Sequence, residues 1–139
     1  MRGSAFQFVR PAFLLLMAAI APRSAYAVDA AGVEFYEKQV RPLFAEHCYA
    51  CHGPDKQRAG LRLDQVADII RGGDRGPAIG VDSPEESWLI RAVRYTDDKV
   101  RMPPKGKLSE AQIADLVAWV KMGAPGPRGS PDVRTNLPV

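Results

Sequence analysis

Five residues hold most of the chain's chemical potential: "CYACH", Cys48 to His52. Cysteines at i and i+3 with a histidine at i+4 fit a zinc half-site, a redox dithiol, a disulfide, or covalently attached haem. Cys48, Cys51, His47 and His52 are the only cysteines and histidines in the chain, all within six residues. A zinc site needs three or four ligands, and no second Cys/His cluster exists to complete one. A thioredoxin-type dithiol sits in a βαβ setting, which the sequence does not offer. A plain disulfide leaves His52 unexplained. Haem uses every member of the motif. On one helical turn both thiols face the same way to form thioethers, and the histidine falls beneath the iron as proximal ligand.

A haem iron held by His52 has a far side, and few residues can reach it. His47 adjoins Cys48 and lies on the wrong side of the turn. Met102 and Met122 remain once Met1 and Met17 are assigned to a leader. Met122 falls nine residues after Ile113, roughly opposite the apolar stripe of the last helix. Met102 precedes Pro103 and Pro104, which restrict the backbone to extended conformations and can hold a thioether at fixed height. Met102 is therefore the expected distal ligand. A His/Met pair raises the potential and leaves no coordination position for substrate, so outer-sphere electron transfer follows.

The elements that must position these groups read as helices. Val33 to His47 carries Val33, Tyr36, Val40 and Phe44 at spacings of three and four, with Pro42 predicting a kink or a break. Residues 53–82 form a glycine-marked loop region with a short helix at Gln65 to Arg71. "SPEE" predicts a helix capped by Ser83 that runs through "EESWLIRAVRY". Ser109 and Gln112 form a capping box before the stripe Ile113, Leu116, Val117 and Val120, and Gly123 and Pro125 end that helix. No alternating strand pattern appears. The expected fold class is all-α with long loops.

The ends differ in character. Arg2 and Arg10, the apolar run "PAFLLLMAAIAP" and "AYA" read as a secretory signal peptide over 1–27, cleaved after Ala27. About 12 apolar residues are too few to span a bilayer. With Arg2, Arg10 and Arg23 removed, the 19 Lys+Arg fall to 16 and balance the 16 Asp+Glu. Nothing then argues for nucleic acid or an anionic membrane surface. The expected organisation is a leader at 1–27, a haem domain at 28–125 and a flexible tail at 126–139. The expected location is periplasmic or otherwise exported, without stable membrane insertion.

These residues resemble the class I c-type cytochromes, and more closely the planctomycete-type cytochrome c domain. The resemblance runs from about Phe35 to Pro125, on "VRPLFAEHCYACHG", "GLRLD", "GGDRGPAI", "SWLIRAVRY" and "MPPKGKLSEAQIADLVAWVKMGAP". It implies one haem c attached through Cys48 and Cys51, His52 proximal and Met102 distal, and a redox partner protein. It also implies that the Pro77 carbonyl accepts the His52 imidazole N–H. Trp119 and Phe35 are expected where first and last helices cross, and Arg62 and Arg94 are expected as solvated arginines, with a haem propionate as the alternative contact. Two departures stand out: Ala59-Gly60 replaces a double glycine before "LRLD", and Gly126 replaces a frequent Trp after "GAP". In that family the cytochrome domain usually heads a longer polypeptide. A free electron carrier is thus the first expectation. The alternative is a docking module acting as electron outlet of a larger dehydrogenase or hydrolase-like partner, and a haem enzyme or gas sensor with an open iron position is a third.

Overall fold

The computed structural model describes residues 25–80 and 82–127, with side chains from residue 30 onward. The leader reading of 1–27 falls almost wholly outside the described residues. So does all but Gly126 and Pro127 of the segment read as a tail. Gly126 itself is buried.

The described chain is helical, and no strand occurs in it beyond three isolated bridges. α1 spans Ala25–Phe35, α2 Arg41–His47, α3 Tyr49–His52, α4 Val66–Arg71, α5 Trp88–Arg94 and α6 Glu110–Lys121. No helix among the described residues is long and apolar enough to cross a membrane.

Pro42 acts as its chemistry dictates. It has no N–H for an α-helical bond, so it is tolerated only in the first turn of a helix, where that bond is absent anyway. The chain meets this by winding Tyr36–Val40 as a π-helical turn, in which the Arg41 N–H bonds back to the Tyr36 carbonyl. Pro42 then sits in the first turn of α2. The helix is continued rather than broken, and Tyr36, Val40, Leu43 and Phe44 stay on the buried side.

α6 crosses this first helical run. Its Ser109–Gln112 capping box is formed in both directions: the Gln112 N–H bonds the Ser109 hydroxyl at 3.2 Å, and the Ser109 N–H bonds Gln112 Oε1 at 2.9 Å. Ile113, Leu116, Val117 and Val120 are buried, and Trp119 is buried completely. The Trp119 ring lies 5.7 Å from Tyr36 and 5.8 Å, edge-on, from Phe44. Its Nε1–H donates to the Pro125 carbonyl at 2.8 Å. Phe35 packs half-buried against the same core.

The helix expected from Ser83 starts four residues later. Pro84–Glu86 form one 3-10 turn, and Ser87 is extended (φ −55°, ψ 135°) before α5 begins at Trp88. The cause is a clip from outside the helix. The Ser87 hydroxyl accepts from the Gly80 N–H at 2.9 Å and donates to the Gly80 carbonyl at 3.3 Å, while the Leu89 N–H reaches the Ala78 carbonyl at 2.9 Å. Those bonds fasten the 72–80 loop to the start of α5.

Candidate functional site

α2 delivers the motif directly. The Cys48 N–H still bonds the Phe44 carbonyl at 2.8 Å, but the Cys48 backbone leaves helical geometry (φ −123°, ψ −41°). One further turn follows, with the Cys51 and His52 N–H groups both on the Cys48 carbonyl at 3.0 and 2.9 Å. The turn sets Cys48, Cys51 and His52 on one wall of a single cavity of about 320 Å³. Sites that enclose a small-molecule cofactor measure roughly 300–1,000 Å³. The two thiols are not joined to each other. Burial pushes the Cys48 thiol up to about 12, opposite to the depressed values of reactive dithiols.

The second wall comes from the glycine-marked loops. A 3-10 turn at Arg58–Gly60 contains Ala59 and Gly60 in left-handed conformation (φ 55° and 65°). Their reversal lays Leu61 along the motif. His52 Nδ1 lies 3.2 Å from the Leu61 carbonyl, and the Leu63 N–H bonds the His52 carbonyl at 2.7 Å. A carbonyl only accepts, so Nδ1 carries the proton and, in the neutral ring, Nε2 keeps its lone pair. The expected partner, Pro77, is replaced here by Leu61. Gly76 and Ala78 line the cavity, but the Pro77 carbonyl does not hold the ring. The 59–60 turn is tied to the 72–76 loop by the Asp74 N–H on the Ala59 carbonyl at 2.8 Å. The approach there is close enough that a Cβ on Gly73 would lie 2.3 Å from the Ala59 oxygen.

α5 and the loop behind it complete the enclosure. Trp88, Leu89, Ala92 and Val93 face the cavity, and so do Val100, Met102, Pro103 and Pro104. Met102 is 37% exposed, and its N–H bonds the Ala92 carbonyl at 3.0 Å. The Met102–Pro103 peptide is cis. Met122, at the end of α6, is exposed and takes no part in the cavity wall.

Arg62 is held by Asp64, Nε to Oδ1 at 2.7 Å, with Asp68 at 3.4 Å, and Arg94 is paired with Glu85. Neither lines the cavity. Arg58, Arg75 and Lys99 do, and none of the three shares an ion pair among the described residues. The Arg75 guanidinium also stacks over Trp88 at 5.2 Å, with Arg91 at 4.8 Å from the same ring. His47 reaches the cavity beside Cys48, with Nε2 3.3 Å from Gln112 Nε2. Gln112 Oε1 already accepts from Ser109, so its Nε2 donates and His47 Nε2 accepts. Trp119 is absent from the cavity wall, so its role is core packing.

Sequence reasoning did not find Leu61, Arg58, Arg75, Lys99 or Trp88. Arg75 and Lys99 carry one weak signal, their place in loops with no acidic residue at helical spacing, and Arg58, with Asp55 three residues before it, lacks even that. A backbone acceptor such as the Leu61 carbonyl has no residue signature at all.

Residues 48–106 match the family model of planctomycete cytochrome C. The chain carries a planctomycete-type cytochrome c domain. No curated protein and no solved structure matches the chain. The matched segment contains every residue of the cavity wall except His47, and it is shorter than the resemblance from Phe35 to Pro125. A cytochrome c domain carries covalent haem and serves electron transfer with a redox partner. The cavity fits that group: two unbonded thiols, an imidazole with a fixed tautomer and a thioether border it. Its wall is otherwise mostly apolar, with unpaired cations at hand for carboxylates.

Proposed function

We propose that the chain is an exported single-haem electron carrier. The supporting observation is convergence: Met102 lies 50 residues beyond His52 in the sequence, yet borders the same cavity as Cys48, Cys51 and His52. In this reading Cys48 and Cys51 hold haem c by thioether bonds, His52 Nε2 is the proximal iron ligand and Met102 Sδ the distal one. Haem held in this way takes up and gives back one electron at a time. The chain's own part would be to hold the His52 and Met102 donors in place and to surround them with apolar side chains that exclude water.

The Leu61 carbonyl orients the imidazole and strengthens its donor nitrogen. Arg58, Arg75 and Lys99 supply positive charge for the two haem carboxylates. The leader over 1–27 directs the domain to the compartment where haem is attached, periplasmic or otherwise exported, and 28–125 forms the functional unit.

The ligand assignment is tested by absorbance of the oxidised protein. A weak near-red band of sulfur bonded to ferric iron is expected. Met102→Ala abolishes it and Met122→Ala leaves it intact. Retention of the band in Met102→Ala would show that another group ligates the iron.

A further inference from the structure

We propose that Tyr95 is the residue that positions Met102 over the cavity. The inference rests on the reading of Met102 as distal ligand and names what holds it there. Tyr95 follows the last residue of α5 and is left-handed (φ 60°, ψ 32°). For a bulky side chain that conformation is unfavourable, and it persists only where its surroundings over-determine it.

Those surroundings are the Met102 segment. The left-handed turn brings the Tyr95 side chain back to the loop, where its hydroxyl donates to the Pro103 carbonyl. The Arg101 guanidinium stands 6.0 Å over the Tyr95 ring. The residues before and after Met102 thus both engage the same side chain. Met102 itself is bonded through its N–H to the Ala92 carbonyl, which also accepts the Tyr95 N–H at 3.3 Å. Ala92 lines the cavity and Tyr95 does not. The height of the thioether is therefore set by the end of α5 through Tyr95, which acts by way of Met102 and not on the iron. Other ties in the loop include Thr96 Oγ1 to the Arg91 carbonyl at 3.2 Å, the Lys99 N–H to Asp97 Oδ1 at 2.9 Å, the Arg101–Asp98 pair and the Gly106 N–H to the Pro103 carbonyl at 3.4 Å.

The test uses the haem-loaded full chain as wild type, Tyr95→Phe, Thr96→Ala and Met102→Ala. Two readouts are taken, the near-red band of the ferric protein and the rate of carbon monoxide binding to the ferrous protein. Tyr95→Phe is expected to weaken the band and speed carbon monoxide binding about fivefold, the factor matching one net hydrogen bond of about 1 kcal/mol. Thr96→Ala, which loosens the same loop elsewhere, is expected to match wild type in both. If Met102→Ala opens the iron while Tyr95→Phe behaves as wild type, the positioning role falls and the ligand assignment stands. If Thr96→Ala speeds binding as much as Tyr95→Phe, general loosening of the loop accounts for the effect and the proposal falls. If Met102→Ala changes neither readout, the ligand assignment fails and this inference fails with it.

Discussion

Replacing Ala59 with glycine is expected to stabilise the protein. Ala59 is held at φ 55° and ψ 32°, a region that costs a residue with a Cβ about 1–2 kcal/mol and costs glycine little. Glycine also loosens the unfolded chain, which takes back about 0.4–1 kcal/mol. The net gain is about 0.5–1 kcal/mol, or about 2–8 °C in melting temperature for a domain of this size. The side chain is exposed, so no burial is lost with it. Thermal unfolding of the haem-loaded protein, followed by far-ultraviolet circular dichroism, provides the assay. Gly60→Ala is the opposing control: glycine there has φ 65°, and an added Cβ would stand 2.8 Å from Asp74 Oδ1, so its melting temperature should drop. A melting temperature for Ala59→Gly equal to or below wild type would refute the argument that this turn is strained.

Trp119→Phe removes the donor to the Pro125 carbonyl and part of a fully buried ring. It should cost about 1–3 kcal/mol in denaturant unfolding and leave the haem absorbance unchanged, because Trp119 does not border the cavity. Asp64 is held below its ordinary carboxylate value chiefly by its hydrogen bond from Arg62. A depressed folded value gives stability that is present above about pH 3.9, the unfolded value, and is lost as pH falls through the folded one. Arg62→Gln should therefore move the acid-unfolding midpoint to higher pH without altering the near-red band at neutral pH.

What could be seen in the sequence follows the range of the interactions involved. The spacing in "CYACH" and the Ser109–Gln112 box are decided within four residues, and both appear in the structure where helical geometry puts them. Pro42 announced a disturbance, but whether the helix would break or rewind depended on Tyr36 and Val40 finding the core. Ser83 carries good capping chemistry and caps nothing with its side chain. The true start at Ser87 is fixed by Gly80, a loop residue that pattern reading cannot bring to it. Leu61 took the place expected of Pro77 because the left-handed pair at 59–60 turns the chain toward His52. Arg62 pairs with Asp64 two residues on and Arg94 with Glu85, while Arg58, Arg75 and Lys99 stand beside the cavity. The Ser87–Gly80 and His52–Leu61 contacts come from seven and nine residues away, beyond one helical turn, whereas the Ser109–Gln112 box closes within three.

Covalent attachment of one haem at Cys48 and Cys51 underlies the proposed electron transfer. It is tested most directly by the intact mass of the chain under denaturing conditions, after expression with a haem-maturation system. A mass gain of one haem that survives denaturation and maps to the peptide containing Cys48 to His52 is expected. A chain with no haem mass, or with haem that dissociates on denaturation, would contradict it.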